Sequence, residues 1–438
     1  MNQYKVLFVF GIVFFSLISL KLKGDFIGHG GMIRDIAFSE NDKFVLTGSF
    51  DYSAILWDFQ DQRLIKSLDG HEGPVTSVAF VTEKKAITAS DDNTAIFWDL
   101  DTGSPIFKFA AHTHKVMSAS VSPDRRYVAT GGWDTNIFIW DLKTGQKVKR
   151  LKVKTPVNSV AFLGGSELIA VGGHDGIIYL LNVESTHLHG KLEGHQMGIT
   201  SLSSSRNGAR LLSASIDGSV VLWDVVRFSK IRKFRGHGKQ VYSVKFLNGD
   251  KFAISSGADG SLIHWNVTTG LKIKKIQAHK TLGWAVAPSK DGRFIVSAGG
   301  EDPAKVWHLA TGDQINASQH VIHEPKPWLK SNHPGSLLFK KCAKCHAIKE
   351  SVTQRSGPHL ENIFGRPIGS VPGYNYSDAL KKAKIIWDHE TIAQLFKVGP
   401  DKYLPGTKMP IQRINNDQQL HDLVTYLKEL TSGGFDTQ

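Results

Sequence analysis

The sequence predicts two domains: an all-β ring of seven repeated units, followed by a small all-α domain. Three observations carry that reading. Residues of one type recur every 41 or 42 positions from Asp51 to Glu301, the composition changes after Leu309, and a helical stripe of apolar residues appears near the C-terminus. A chain of 438 residues is long enough for two or three separate cores. Its apolar content is that of an ordinary globular protein, so disorder is not the expected state.

The repeat begins with aspartates at Asp51, Asp92, Asp134, Asp175, Asp217 and Asp259, and then Glu301. Six residues after each stands an aromatic or apolar residue: Trp57, Trp98, Trp140, Leu181, Trp223, Trp265 and Trp307. Four residues before each stands a hydroxyl, at Thr47, Thr88, Thr130, Ser213, Ser255 and Ser297, with Val171 in the fourth unit. Histidines precede most units, at His29, His71, His112, His195, His237 and His279. β-Branched runs such as Ala54-Ile55-Leu56-Trp57 read as strands, and seven such units suit a closed ring of four-stranded blades. Residues 25–319 therefore resemble a seven-bladed WD-repeat β-propeller. The resemblance implies that histidine, hydroxyl, aspartate and tryptophan form a buried hydrogen-bonded chain in each blade. The fourth unit lacks three of the four residues and is expected to form a blade without that polar network. A residue repeated once per blade holds the blade together, so these histidines are read as structural. Non-repeating Trp133, His174 and His264 are candidates for a binding face.

Residues 320–332 read as a stiff linker, from Pro325 and Pro327 with Pro334 just beyond. His320, His323 and His333, spaced by three and ten in this proline-broken stretch, make a poor metal-ligand set.

The third region, residues 333–438, holds the chain's only two cysteines, in Cys342-Ala343-Lys344-Cys345-His346. A C-x-x-C-H run is the attachment signature of a c-type haem: each thiol adds to one vinyl group, and the adjacent histidine is held beneath the iron. A structural zinc site needs four ligands and finds no third cysteine here. A thioredoxin-like redox pair needs a βαβ context instead.

Further motifs follow: Gly357-Pro358, Phe364-Gly365-Arg366, Pro372-Gly373-Tyr374-Asn375-Tyr376, Ile385-Ile386-Trp387 and Tyr403-Leu404-Pro405-Gly406-Thr407-Lys408-Met409. With these the region resembles a class I cytochrome c, close to the mitochondrial type. The resemblance implies one haem c, attached at Cys342 and Cys345, with His346 and Met409 as axial iron ligands. It also implies that the carbonyl before Pro358 orients His346, and that Arg366, Tyr376 and Trp387 bond the haem propionates. Leu380 stands where the family usually has asparagine, and Phe396 where it usually has tyrosine; each removes a polar contact. Leu420, Leu423, Val424 and Leu427 give the stripe of a last helix with Asp417 as its N-cap, and the resemblance implies that this helix crosses the first one, which starts at Gly335 and Phe339, near Tyr426.

The formal net charge is +13. An exported haem protein does not meet nucleic acid, so the basic surplus points to redox partners with acidic docking surfaces. From Pro325 to Gln438 there are 16 Lys+Arg and 10 Asp+Glu, a difference of +6, with Lys341, Lys344, Lys402 and Lys408 near the haem motifs and Asp401 against the trend. Val6 to Leu20, within residues 1–24, form an apolar run behind Lys5, read as a signal peptide or an N-terminal membrane anchor. Thioether attachment takes place outside the cytoplasm, so a periplasmic or other extracytoplasmic location is expected. The expected function is single-electron transfer, with the propeller holding a protein partner and no residue in a catalytic role. Two rivals are a propeller-containing haem oxidoreductase of the nitrite-reductase kind and a haem-based gas or redox sensor.

Overall fold

The computed structural model describes residues 25–300, 303–315, 331–350 and 357–432, apart from Asn248, Lys344, Gly373, Asn375, Gly406, Lys408, Pro410 and Ile411. The apolar N-terminal run, Glu301, His320, His323 and most of the linker therefore lie outside the described residues.

Each repeat folds as an antiparallel meander. In the first blade β1 (Ile33–Phe38), β2 (Phe44–Ser49), β3 (Ser53–Asp58) and β4 (Arg63–Asp69) pair in sequence order, with Thr47 opposite Ile55 and Val45 opposite Trp57. Six such four-stranded sheets and one three-stranded sheet make up the ring. The seventh blade, Gly283–Pro288, Phe294–Gly299 and Lys305–His308, is closed from the other end of the sequence. There Phe26 pairs with Ala304, donating its N–H to the Ala304 carbonyl at 2.9 Å. Joining the first and last segments in one sheet removes the free edge that a ring of strands would leave.

The predicted polar chain is present in blades one, two, three, five and six. In the first, the Trp57 indole N–H donates to Thr47 Oγ1 at 2.8 Å, Thr47 Oγ1 lies 2.7 Å from His29 Nε2, and His29 Nδ1 lies 2.9 Å from Asp51. A carboxylate only accepts, so Nδ1 carries the proton and Nε2 accepts from the hydroxyl. In the fifth blade the same series runs Trp223, Ser213, His195 and Asp217. Trp57, Trp98, Trp223 and Trp265 are almost fully buried; each contributes about 3 kcal/mol of apolar burial, and the chain satisfies the indole N–H that burial would otherwise leave unpaired.

The fourth blade lacks the four-residue chain, as expected, but keeps one polar contact of its own. Strand Ile178–Asn182 forms as predicted, and the Tyr179 hydroxyl donates to Asp175 Oδ2 at 2.6 Å. Tyr179 stands two residues before Leu181, the tryptophan position of the other blades, and so lies outside the repeated pattern.

Two further periodic devices were not legible in advance. Side chains at Lys149, Arg232 and Lys274 on outer strands donate to turn carbonyls of the next blade, Glu184, Thr269 and Ala310, at 2.8–3.0 Å. One position on, Lys233 and Lys275 reach Asp217 and Asp259 of their own blades. Part of the propeller's positive charge is thus engaged in joining its own strands.

The second device is a β-bulge near the start of every innermost strand. The extra residues are Arg34, Thr76, Met117, Asn158, Thr200, Tyr242 and Trp284, and all seven line the central channel.

The C-terminal region contains α1 (Gly335–Cys342), α2 (Asp378–Lys382), α3 (His389–Val398), α4 (Pro400–Tyr403) and α5 (Asp417–Thr431). Helices α1 and α5 cross at Gly335, where a side chain would run into the Asp422 carbonyl and Tyr426; only glycine permits this approach. Phe339 meets Tyr426 edge-on at 5.9 Å. The N-cap of α5 is Asn416, accepting from Gln419 N, one residue before the predicted Asp417, which instead pairs with Lys397 at 2.9 Å. His333 lies just before helix α1: its Nδ1 accepts from Gly335 N, and its ring stacks on Tyr426 at 5.1 Å.

Candidate haem site

Helix α1 ends at Cys342, and the chain turns at once. The amides of Cys345 and His346 both donate to the Cys342 carbonyl, at 3.1 and 3.0 Å. This tight turn presents both thiols and the imidazole to one cavity, whose lining includes Cys342, Cys345, His346 and Met409. Cys342 is buried and Cys345 half-buried. Burial, with Cys345 alongside, pushes the Cys342 thiol up to about 12.

His346 Nδ1 donates to the carbonyl oxygen of Pro358 at 2.7 Å. A carbonyl only accepts, so the proton sits on Nδ1 and Nε2 is the nitrogen with a lone pair. The acceptor is Pro358's own carbonyl and not the one preceding it, which corrects the sequence expectation. Gly357 N donates to the Cys345 carbonyl at 2.7 Å, drawing this loop against the ring. A β-carbon at 357 would stand 2.5–2.9 Å from three ring atoms of His346. A glycine at that position leaves the imidazole its place.

Met409 is half-buried, with its amide donating to Thr407 Oγ1 at 3.2 Å. Arg366, Tyr376 and Trp387 line the same cavity. Arg366 also donates from two nitrogens to the carbonyls of Glu361 and His359, at 2.9 and 2.7 Å. Its backbone accepts from Trp387 N at 3.0 Å, while Gly365 N donates to the Trp387 carbonyl. The loop carrying Arg366 and the segment carrying Trp387 are thereby fixed to each other. Leu380 and Phe396, the two departures, both face this cavity with apolar surface.

On the outside of the domain Lys341 and Lys402 are exposed, while Lys344 and Lys408 lie outside the described residues. Asp401 is held by Arg413 at 2.9 Å, which offsets its charge locally. On the propeller, Trp133 and His174 do come together, edge-on at 6.3 Å. His264 does not join them; it sits inside its sheet against Phe252.

The comparisons with known proteins agree with this geometry. The family model "Cytochrome c" matches residues 333–431. Over 99 residues the chain is 41% identical to a cytochrome c of Sesamum indicum, covering 22% of this chain and 88% of the relative. A cytochrome c of Cochliobolus lunatus is 42% identical over 98 residues, again 22% of this chain, and 90% of the relative. One from Kluyveromyces lactis is 37% identical over 105 residues, 24% of this chain and 94% of the relative. The chain belongs to the cytochrome c family. Residues 20–58, 62–99 and 103–141 match the WD domain, G-beta repeat, and residues 160–286 match the Vps8 beta-propeller family model. The chain is therefore a seven-bladed WD-repeat propeller fused to a cytochrome c domain, and such a domain carries one covalently bound haem c.

The residues fit that group. Two thiols three positions apart, a histidine with a fixed tautomer and a thioether share one largely apolar cavity. An imidazole and a thioether, as iron ligands, would favour ferrous iron and raise its potential.

Proposed function

We propose that this chain is an exported single-haem electron carrier whose propeller docks the protein it serves. The observation that carries the reading is the shared cavity of Cys342, Cys345, His346 and Met409, with His346 locked by Pro358. Cys342 and Cys345 would hold the haem, His346 and Met409 would take the two axial positions, and Arg366, Tyr376 and Trp387 would meet the propionates. When bound, the haem supplies reversible one-electron exchange at iron. The chain's own residues orient the imidazole and line the cavity with apolar surface, and with both His346 and Met409 on the iron no position would be left for a substrate.

The N-terminal apolar run and the chemistry of thioether attachment support an extracytoplasmic site of action. The run serves as a signal peptide or an anchor. Among the described residues no helix is long and apolar enough to cross a membrane. Exposed Lys341 and Lys402 support a redox partner with an acidic surface, and the ring gives a broad rigid face for a longer-lived contact. Residues 320–332 serve as the tether that raises the haem domain's local concentration at that partner.

The test uses the reduced full-length protein. One haem per chain and no spectral change with carbon monoxide are expected, and Met409→Ala should open the site and confer carbon monoxide binding. Carbon monoxide binding by the unaltered protein would favour the sensor reading. A second haem would favour the oxidoreductase reading. The docking role has its own test, in rates of partner reduction against ionic strength. The full chain should stay active at salt levels that suppress the haem domain alone, and identical curves would remove the propeller from delivery.

A further inference from the structure

Six of the seven bulge residues lining the channel fall into two groups by what their side chains do. Thr76 and Thr200 each donate to a carbonyl of the next blade, Val116 and Val241, at 2.6 Å. Asn158 does the same to Ile199 at 2.9 Å. These three stitch adjacent blades together. On the other side of the ring Tyr242, Trp284 and Arg34, from the sixth, seventh and first blades, stack on one another instead. The Tyr242 and Trp284 rings lie 4.5 Å apart and 22° from parallel, and the Arg34 guanidinium sits 4.3 Å from the Trp284 centroid. Phe50 meets Trp284 edge-on at 6.3 Å.

A bulge adds one residue to a strand and re-aims its side chain, and here it points these groups at a channel of about 670 Å³. The stack fixes the guanidinium plane, leaving its N–H edges as the group's remaining means of recognition. The two nearby acids have other duties. Asp35 accepts the amides of Ile36 and Val78 at 2.9 Å, and Asp91 pairs with Lys115 at 2.5 Å. Lys115 in turn stands 5.6 Å from the Trp133 ring. Burial draws Arg34 down to about 10, against the pull of Asp35 and Asp91, so it stays a cation at neutral pH. The rim thus joins a flat aromatic platform to one oriented cation.

We infer that the Arg34, Trp284 and Tyr242 stack is the docking site for an acidic segment of a partner protein, with one aspartate or glutamate carboxylate taken by the Arg34 fork. The chemistry is bidentate: a planar guanidinium matches a carboxylate with two parallel hydrogen bonds, and the platform accepts the apolar atoms beside it. This deepens the docking role proposed above. Its failure is distinguishable from failure of the carrier reading, which is judged on the haem spectrum of the other domain.

The probe is a capped pentapeptide, Gly-Gly-Glu-Gly-Gly, titrated calorimetrically into the full-length holoprotein at low salt. The Gln peptide and inorganic phosphate serve as comparisons. Glu should bind at least about tenfold more tightly than Gln, Arg34→Met should abolish that preference, and Arg34→Lys should restore part of it. Unchanged haem spectrum and melting temperature would show that the variants fold. The Glu-against-Gln comparison needs no variant and stands if Arg34→Met does not fold. Equal binding of the two peptides, no binding of either, or a preference that survives Arg34→Met would each overturn the site. Binding of phosphate without the Glu peptide would overturn it too, as a small-anion pocket.

Discussion

The propeller's histidines and His346 make the same first move and arrive at different ends. In both domains Nδ1 gives its proton to an oxygen: Asp51, Asp92, Asp134, Asp217 or Asp259 in the ring, and the Pro358 carbonyl in the cytochrome. In the ring Nε2 then meets a serine or threonine hydroxyl, and the imidazole becomes a link inside a wall. In the cytochrome the ring borders a cavity shared with two thiols and a thioether. Fixing one nitrogen fixes the tautomer in both cases, but only what the other nitrogen faces decides between scaffold and site.

The largest effect should come from cutting one histidine of each kind. His346→Ala is expected to remove the low-spin haem spectrum and reversible redox behaviour while the propeller remains folded. His195→Ala should leave the haem spectrum intact and cost the propeller about 3 kcal/mol, since Asp217 and Ser213 lose their shared partner inside the sheet. Absorbance of the haem and urea unfolding followed by tryptophan fluorescence separate the outcomes. A haem change in His195→Ala would break the distinction.

Acid should sharpen the same contrast. Burial lowers His112, His195 and His237 below the usual histidine value, outweighing the aspartate beside each. Burial also opposes ionisation of Asp92, Asp217 and Asp259, but hydrogen bonds from histidine, hydroxyl and backbone win and hold them well below the usual carboxylate range. For both kinds of group the unfolded chain binds protons more readily. Their stabilisation is complete above the ordinary pKa values and is lost as pH falls. Loss begins near the ordinary histidine value of about 6.5 and continues below the carboxylate value of about 3.9, by up to about 1.4 kcal/mol per proton per pH unit. Propeller stability measured by urea unfolding from pH 7 to pH 4 should therefore fall steadily. A flat profile would mean that these histidines take up protons equally in the folded and unfolded states.

What could be read in advance followed from repetition and from rarity. Five aspartate-to-tryptophan spacings, with Asp175 to Leu181 and Glu301 to Trp307 as variants, specify a ring of seven, because a buried polar chain demands the same side chains every 41 or 42 residues. One C-x-x-C-H run in a chain with no other cysteine specifies haem. Contacts made by backbone carbonyls were invisible: nothing in the order of residues says that Pro358's own oxygen holds His346, or that Lys149 and Arg232 bridge blades through turn carbonyls. The bulge ring was hidden for a different reason. Its residues recur in position but not in type, so a search for repeated side chains passes over Arg34, Tyr242 and Trp284. The N-cap of α5 shifted by one residue because Asn416 and Asp417 are equally able caps, and Lys397 draws Asp417 away.

The smallest effect tests the fourth blade against the fifth. Tyr179 and Asp175 stand where Trp223, Ser213, His195 and Asp217 stand one blade later, and the two settings differ in exposure. Asp217's side chain is only 5% exposed, whereas Asp175 lies at the surface, where water replaces a lost partner. Burial and the adjacent Asp175 push the Tyr179 hydroxyl up to about 12, so it remains a donor at any pH the propeller survives. Tyr179→Phe removes one hydroxyl and keeps the ring under the Lys191 ammonium at 5.6 Å. The expected cost is about 0.5 kcal/mol, near the lower end for a single hydrogen bond. Trp223→Phe strips the indole N–H from Ser213 and shrinks a fully buried side chain, and should cost about 2 kcal/mol. Urea unfolding of the two variants gives the ratio directly. Equal costs would mean that Tyr179 and Asp175 form a full substitute for the four-residue chain, and that the fourth blade is as polar inside as its neighbours.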